Sequence, residues 1–525
     1  MADHLFIIPG YSDEDFSFIP LRNLLINQDL YQQDKIKSIE YASMDDQIDF
    51  PDFAHKLDRE YEKFIEGHHT NTRIDILAHS TGSLVVRSWL YLRRKRQQAR
   101  NQKLDVPVEH LFLFAPANFG SDLACIGRSS LNSARVSFMK IRDKINAQEE
   151  SQRKTLRGNQ DLFETGRKVL QGLEPASPVQ WQLSIGDLHC ETYFGPNDPS
   201  GQCCYPFVFS AGSPKEKKNI WRKFHFINPL YKDGTDNTIR IAGTSLNTRF
   251  LRLRSNQETS HIEWDSELID KERKSSGFRK FQDIPLAIYK EYDHCGIING
   301  KRTDNHGTEE NKPLTAEKWL PFEDLKRSLS VKTEGEFSEV ADIFKKRTNK
   351  YIQSKCKRKK CKRKKRKRNK GGVYQQFFFK AIDNTGQDID DFDIDFVVQE
   401  TETKELAVDE TQGIHETLNK AYEIHNHSVD SSNKMLMLGN IVDIESRLKE
   451  LKSGKQVVMI VKAQGPYNGI TYGEAEFVIY KPDGSHLNRN DISFFHPFTT
   501  TLVEIVLDRI IHNDILSRGD FTIGS

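Results

Sequence analysis

At 525 residues the chain has room for two to four domains, and with 37% hydrophobic residues it can bury a core in each. Its formal net charge of +2 conceals an asymmetry, because residues 355–370 hold 13 Lys or Arg and no acid, leaving −11 for the rest. That pattern excludes a generally basic, nucleic-acid-coating protein, seven cysteines at irregular spacing exclude a disulfide framework, and no apolar run reaches the length of a membrane span.

Strand-like sequence begins at Leu5, so no signal peptide is expected. The expected setting is a reducing, cytoplasmic one, or export by a route that needs no N-terminal signal. Leu5-Phe6-Ile7-Ile8 reads as a buried strand ending in Pro9-Gly10-Tyr11. An apolar-periodic stretch over 21–30, a strand over 36–42 and an amphipathic helix over 53–64 follow. This β-α-β-α order predicts a parallel, doubly wound sheet.

The next strand, with apolar Ile74, Ile76 and Leu77, runs into Ala78-His79-Ser80-Thr81-Gly82 and then into helical spacing at Leu84, Val85, Trp89 and Leu90. That is the G-x-S-x-G nucleophile elbow with alanine for its first glycine. A serine raised on a tight strand-to-helix turn crowds the backbones two residues to either side, so small residues are required there. The turn also sets Ser80 at a helix N-terminus, where free N–H groups can meet a developing oxyanion. The basic end of the helix, Arg93 to Arg96, reads as a solvated terminus.

Residues 108–114 form another strand, leading into Ala115-Pro116-Ala117-Asn118-Phe119-Gly120-Ser121. From about 122 to 187 the sequence turns helical and charged, which predicts a cap insert or helices packed on the domain edge. The apolar residues of 162–173 and 178–183 could then face a lipid. Strand sequence resumes at 205–210 and again at 284–289. Between them lies Asp233-Gly234-Thr235-Asp236-Asn237, where an acid can reach a histidine beside the serine's strand; Asp236 is preferred and Asp233 is the alternative. His294 follows the last strand, completing the order Ser80, Asp236, His294. His68 and His69 fit less well, as does His79, whose place in the elbow points it away from the nucleophile.

Residues 4–300 resemble an α/β-hydrolase of the bacterial lipase/esterase class. The resemblance rests on Pro9-Gly10-Tyr11, on 78–82, on 115–121, on 236–243 and on Asp293-His294-Cys295-Gly296-Ile297. It implies a serine hydrolase of carboxylic esters, of the lipase or phospholipase kind, that forms an acyl-enzyme and needs no cofactor or metal. Ser80 would be the nucleophile, His294 the general base and acid, and Asp236 the orienting carboxylate. The backbone N–H groups of Tyr11 and Thr81 would form the oxyanion hole. Glu164-Thr-Gly and Leu173-Glu-Pro-Ala-Ser-Pro look like a cap of this class. Thioesterases and acyltransferases share the frame, so the lipid or ester substrate is not fixed by it.

The expected architecture is an α/β doubly wound, mostly parallel sheet with a helical cap insert, plus a C-terminal all-β sandwich-like domain. Its expected boundaries are a catalytic domain over 1–325, a helical and polybasic linker over 326–372, and a β-rich accessory domain over 373–525. Helical stretches at 322–329 and 337–344 precede the basic tract, which cannot fold on itself. The tract reads as a solvated linker, an anchor for an anionic membrane surface, or a nuclear-import or nucleic-acid patch. Cys356 and Cys361 within it are acylation candidates if it meets a membrane. Strands are expected at 374–382, 389–398, 456–463, 474–481 and 499–507, with the acids of 388–395 forming an exposed face rather than a calcium site. The alternative to an enzyme is a weak or inactive hydrolase frame used as a membrane- or nucleus-targeted binding or effector module.

Overall fold

The computed structural model describes residues 2–11, 15–41, 43, 45–67, 72–102, 105–122, 124, 166–188, 203–212, 234–255, 260–264, 283–302, 319–357, 373–408, 422–438, 441–465, 469–483 and 494–511. Two compact units divide the chain, one of Met1–Asn247 and Ser276–Lys370, the other of Thr248–Ser275 and Gly371–Ser525.

The first unit is built on β1 (Leu5–Ile8), β2 (Ile36–Ser38), β3 (Ile74–His79), β4 (Val108–Phe114) and β5 (Tyr205–Ala211). After β6 (Arg249–Ser255) and β7 (Ser260–Trp264), which belong to the other unit, β8 (Leu286–Tyr289) completes it. The sheet order is β2-β1-β3-β4-β5-β8 and every neighbouring pair is parallel. All residues of β1, β3 and β5 are buried, as strands covered on both faces must be. The unit's longer described helices are α1 (Ile19–Asn27), α2 (Phe50–Glu66), α3 (Gly82–Ala99), α4 (Arg167–Leu173), α5 (Pro178–Leu188), α6 (Leu320–Leu329) and α7 (Glu334–Lys357), and a single turn, Gly296–Asn299, follows His294.

Sequence and structure differ at several element edges, each for a local reason. The strand expected over 36–42 is only Ile36–Ser38. The helix expected from Phe53 starts at Phe50, because Asp49 and Asp52 exchange side-chain and backbone hydrogen bonds in a capping box and Pro51 suits the first turn. Part of the stretch expected to be linker is integral to the first unit. Phe337 and Phe344 of α7 pack on Phe207 of β5, Arg347 binds Asp324 of α6, and Asp324 accepts the Tyr289 hydroxyl of β8. Of the apolar residues considered as lipid-facing, Val169, Leu170, Leu173 and Leu183 are buried in the core. The rest of the insert through 165, apart from Asp122 and Ala124, lies outside the described residues.

The second unit holds β9 (Gln375–Asp383), β10 (Phe392–Glu400), β11 (Tyr422–Asn426), β12 (Asn433–Leu438), helix α8 (Ile441–Lys449), β13 (Lys455–Ala463), β14 (Ile470–Tyr472), β15 (Ala475–Tyr480), β16 (Thr500–Leu507) and β17 (Arg509–Ile511). One sheet runs β11-β12-β9-β16-β6-β7 and a second runs β10-β13-β15; β14 and β17 form a two-stranded ladder. The sheets share a core of Leu251, Phe379, Phe396, Met459, Phe477 and Val503, closed by Ile441 and Ile444 of α8. The unit is sandwich-like, yet not wholly antiparallel, since β16 runs parallel to both β9 and β6. Asp388, Asp390, Asp391, Asp393 and Asp395 are exposed while Ile389 and Phe392 between them are buried.

Candidate active site

The elbow begins where β3 ends at His79 and α3 starts at Gly82, with Ser80 and Thr81 as the turn. Ser80 has φ of 52°, the left-handed conformation in which an L-residue is strained. Its N–H donates to Phe114 O of β4 at 3.1 Å, which keeps the turn on the sheet edge. Gly82 has no room for a side chain, because a Cβ there would lie 2.5 Å from Ile8 O and 2.6 Å from Pro9 O. That close approach brings the end of β1, and with it Pro9-Gly10-Tyr11, against the first turn of α3. Thr81 is 1% exposed, and its N–H finds no acceptor among the described residues. Buried N–H groups are almost always paired, so an unpaired one beside Ser80 marks a place where an anion or a carbonyl oxygen can sit.

Asp236 and His294 meet through two links. His294 Nδ1 donates to Asp236 Oδ2 at 2.8 Å, and the His294 N–H donates to the Asp236 carbonyl at 3.2 Å. The other carboxylate oxygen accepts the N–H groups of Thr238 at 2.9 Å and Ile239 at 2.7 Å. Asp236 is 1% exposed, and its oxygens are thus served from both sides. The loop that presents it is closed by a bridge between Thr235 and Arg240 and turned by Asn237 at φ of 83°. With Nδ1 as the protonated nitrogen, Nε2 is the basic one. Asp233, the alternative acid, lies outside the described residues, as do His68 and His69.

His79 has a structural partner in the site. Its Nε2 donates to the His294 carbonyl at 3.0 Å, and the two rings lie 4.7 Å apart, so it buttresses the histidine loop. The elbow motif assigns that position no role, and nothing local in the sequence announces a partner 215 residues away. The residues after β4 form a strap joining the elbow to the acid loop. The Ala117 N–H donates to Ser80 O at 3.0 Å, Asn118 Nδ2 to Thr244 O at 2.7 Å and Ser121 Oγ to Thr238 O at 2.6 Å. Arg240 Nε bonds both oxygens of Asp122, at 2.8 and 2.9 Å. From the other side the buried Arg87 of α3 reaches Asn118 O at 3.2 Å and Asp187 of α5 at 2.6 Å.

Among the described residues, Asp75, Glu109 and His110 have ligand atoms close enough for a metal, at the opposite, N-terminal ends of β3 and β4. Two of the three, Asp75 and His110, already have protein partners. Asp75 accepts the Tyr31 hydroxyl and His110 Nδ1, and His110 Nε2 donates to Val331 O at 2.6 Å. Asp75 and His110 are thus tied into the protein's own hydrogen bonds. No described helix is long and apolar enough to cross a membrane.

Sheet order, elbow and the Asp–His pair on its late loops together define the α/β-hydrolase fold. The structure of phospholipase PlaB from Legionella pneumophila aligns with 99% of this chain and 97% of its own, with a TM-score of 0.68 at 20% identity. The same enzyme in complex with thio-NAD gives the same values. No family model and no curated protein sequence matches the chain. At this identity the likeness carries the fold, over nearly the full length of both proteins.

Proposed function

We propose that the protein is a serine hydrolase of carboxylic esters, of the lipase or phospholipase kind. The observation that carries this is the buried Asp236–His294 pair, joined at 2.8 Å and set against the residue before a strained Ser80. In this reading His294 Nε2 takes the Ser80 proton as Oγ attacks the ester carbonyl carbon. The oxyanion settles on the N–H groups of Thr81 and Tyr11, each such donor being worth about 10²–10³ in rate. The imidazolium then gives its proton to the leaving alkoxide, and water releases the acyl group with the roles reversed. A phospholipid substrate is supported by the likeness in fold to a protein described as a phospholipase.

The test is labelling with a fluorophosphonate, followed by a panel of short esters and phospholipids. Ser80 should take the label, and Ser80→Ala and His294→Ala should each cut hydrolysis by about 10⁴ or more without unfolding the chain. Asp236→Asn should cost far more rate than Asp233→Asn. Activity within about tenfold of wild type in either of the first two variants sinks the triad. An unlabelled serine with no turnover on any ester would leave the binding-module alternative.

The basic tract of 355–370 is proposed to meet an anionic membrane, since each Lys or Arg near such a surface contributes about 1 kcal/mol before screening. Its side chains lie outside the described residues. Replacing them with Ser and Gly should abolish binding to phosphatidylserine vesicles and leave short-ester turnover unchanged. Vesicle binding that survives, or salt-sensitive binding to DNA alone, would move the anchor elsewhere.

A further inference from the structure

We infer that the hydroxyl of Ser83 is a positioning group for the oxyanion hole, acting through the peptide that joins Ser80 to Thr81. The inference deepens the hydrolase reading above and rests on it. The Ser80 carbonyl accepts three donors: Ser83 Oγ at 2.7 Å, the Ala117 N–H at 3.0 Å and the Ser83 N–H at 3.2 Å. A carbonyl oxygen has two lone pairs, so this one is saturated. A trans peptide is planar, and its C=O and N–H point in opposite directions. Fixing the Ser80 oxygen therefore fixes the direction of the Thr81 N–H, the buried donor that has no acceptor among the described residues.

The clamp opposes a definite competing state. The peptide between Ser80 and Thr81 turns through ψ of Ser80 and φ of Thr81, so the φ of 52° at Ser80 does not by itself fix its orientation. That rotation would turn the Thr81 N–H away and present a carbonyl oxygen to a site that must receive negative charge. Each of the three donors makes the rotation costlier. Ser83 is 0% exposed, so its hydroxyl has no water to bond instead. Serine in a first helical turn commonly bonds a carbonyl three or four residues back merely to satisfy itself. The difference here is that the same oxygen also receives Ala117 from the loop after β4, and that the opposite end of the peptide is a buried, unpaired donor. Two independent elements converge on one carbonyl whose partner N–H is buried and has no acceptor among the described residues.

The test compares Ser83→Ala and Ser83→Thr in the full chain, with active sites counted by fluorophosphonate labelling. On a soluble short ester, Ser83→Ala should lower kcat per labelled site about three- to tenfold, with KM within about twofold. Affinity for a boronic acid that forms a tetrahedral adduct on Ser80 should fall by the same factor. Ser83→Thr keeps the hydroxyl and should restore both. A purely structural role would lower the melting temperature and the labelled fraction, leaving kcat per site and boronate affinity unmoved; that outcome overturns the inference. So does a folded Ser83→Thr variant that behaves as Ser83→Ala does. Should Ser83→Ala fail to fold, Ser83→Gly removes the same hydroxyl and is read against the same outcomes. Absence of labelling in the wild type is a different result, which removes the hydrolase reading itself.

Discussion

Ser80 holds a left-handed backbone at φ of 52°, a conformation that costs an L-residue about 1–2 kcal/mol. The cost is tolerated because the Ser80 N–H is held by Phe114 and its carbonyl by Ala117 and Ser83. Function and stability should therefore pull apart at this residue. Both Ser80→Ala and Ser80→Gly lose the nucleophile, yet glycine relieves the strain and alanine does not. Ser80→Gly should be more stable than Ser80→Ala by about 0.5–1 kcal/mol, after the entropy that glycine forfeits on folding. Urea midpoints of the two variants measure this, and an equal or reversed order would show that the backbone there is not strained. The three residues of the proposed triad stood out in the sequence because each sits in a small-residue turn after a strand. His79 did not, since its partner is a backbone carbonyl on a loop that only the folded sheet brings near.

The long helices after β2 and β3 are tied by one buried acid. Asp58 of α2 accepts Trp89 Nε1 at 2.8 Å and Arg93 at 2.9 Å, and it also bonds Arg96, all three donors coming from α3. Burial alone would raise its pKa, but the indole and the two guanidinium groups outweigh that and hold it below its ordinary value. A depressed folded pKa means stability present above the unfolded value, about 3.9, and lost as pH falls through the folded one. Asp58→Asn should lower stability by about 2 kcal/mol at pH 7. The gap to wild type should persist down to about pH 5 and close below about pH 4. A gap that stays constant down to pH 3 would mean that the lost interaction is not the charge. At this scale the helix and strand types were legible from periodicity, and the ends were not. Asp49 capping α2 is a hydrogen-bond fact that an apolar pattern does not record.

At the scale of the molecule, the chain is less simply partitioned than its composition suggests. Composition alone places one boundary near 325 and another near 372, because the basic tract separates two differently patterned halves. The segment Arg-Phe-Leu-Arg-Leu-Arg at 249–254 carries strand-like alternation, but alternation does not say which sheet a strand joins. In the fold, β6 lies parallel to β16, from Arg249 beside Thr501 to Ser255 beside Leu507. A cut after residue 370 should therefore not yield a sound hydrolase unit. It would strip β16 from β6 and expose Phe250, Leu251 and Leu253, each costing about 1.5–3 kcal/mol when its burial is lost, along a newly opened strand edge. The first unit supplies its own remedy. Asn247 Nδ2 donates to Ile284 O at 2.9 Å and Asn247 Oδ1 accepts the Ile284 N–H at 2.8 Å, so the two ends of the excursion already touch. Replacing 248–283 with about four Gly and Asn residues, a common connection length, should close that gap without strain. The simple truncation should aggregate on expression. The doubly edited chain should stay monodisperse by size-exclusion chromatography and turn over a soluble short ester within about tenfold of the full-length rate. If the simple truncation proves as soluble and as active as the doubly edited chain, β6 and β7 do not depend on the second unit, and the division at Asn247 is not the one that governs folding.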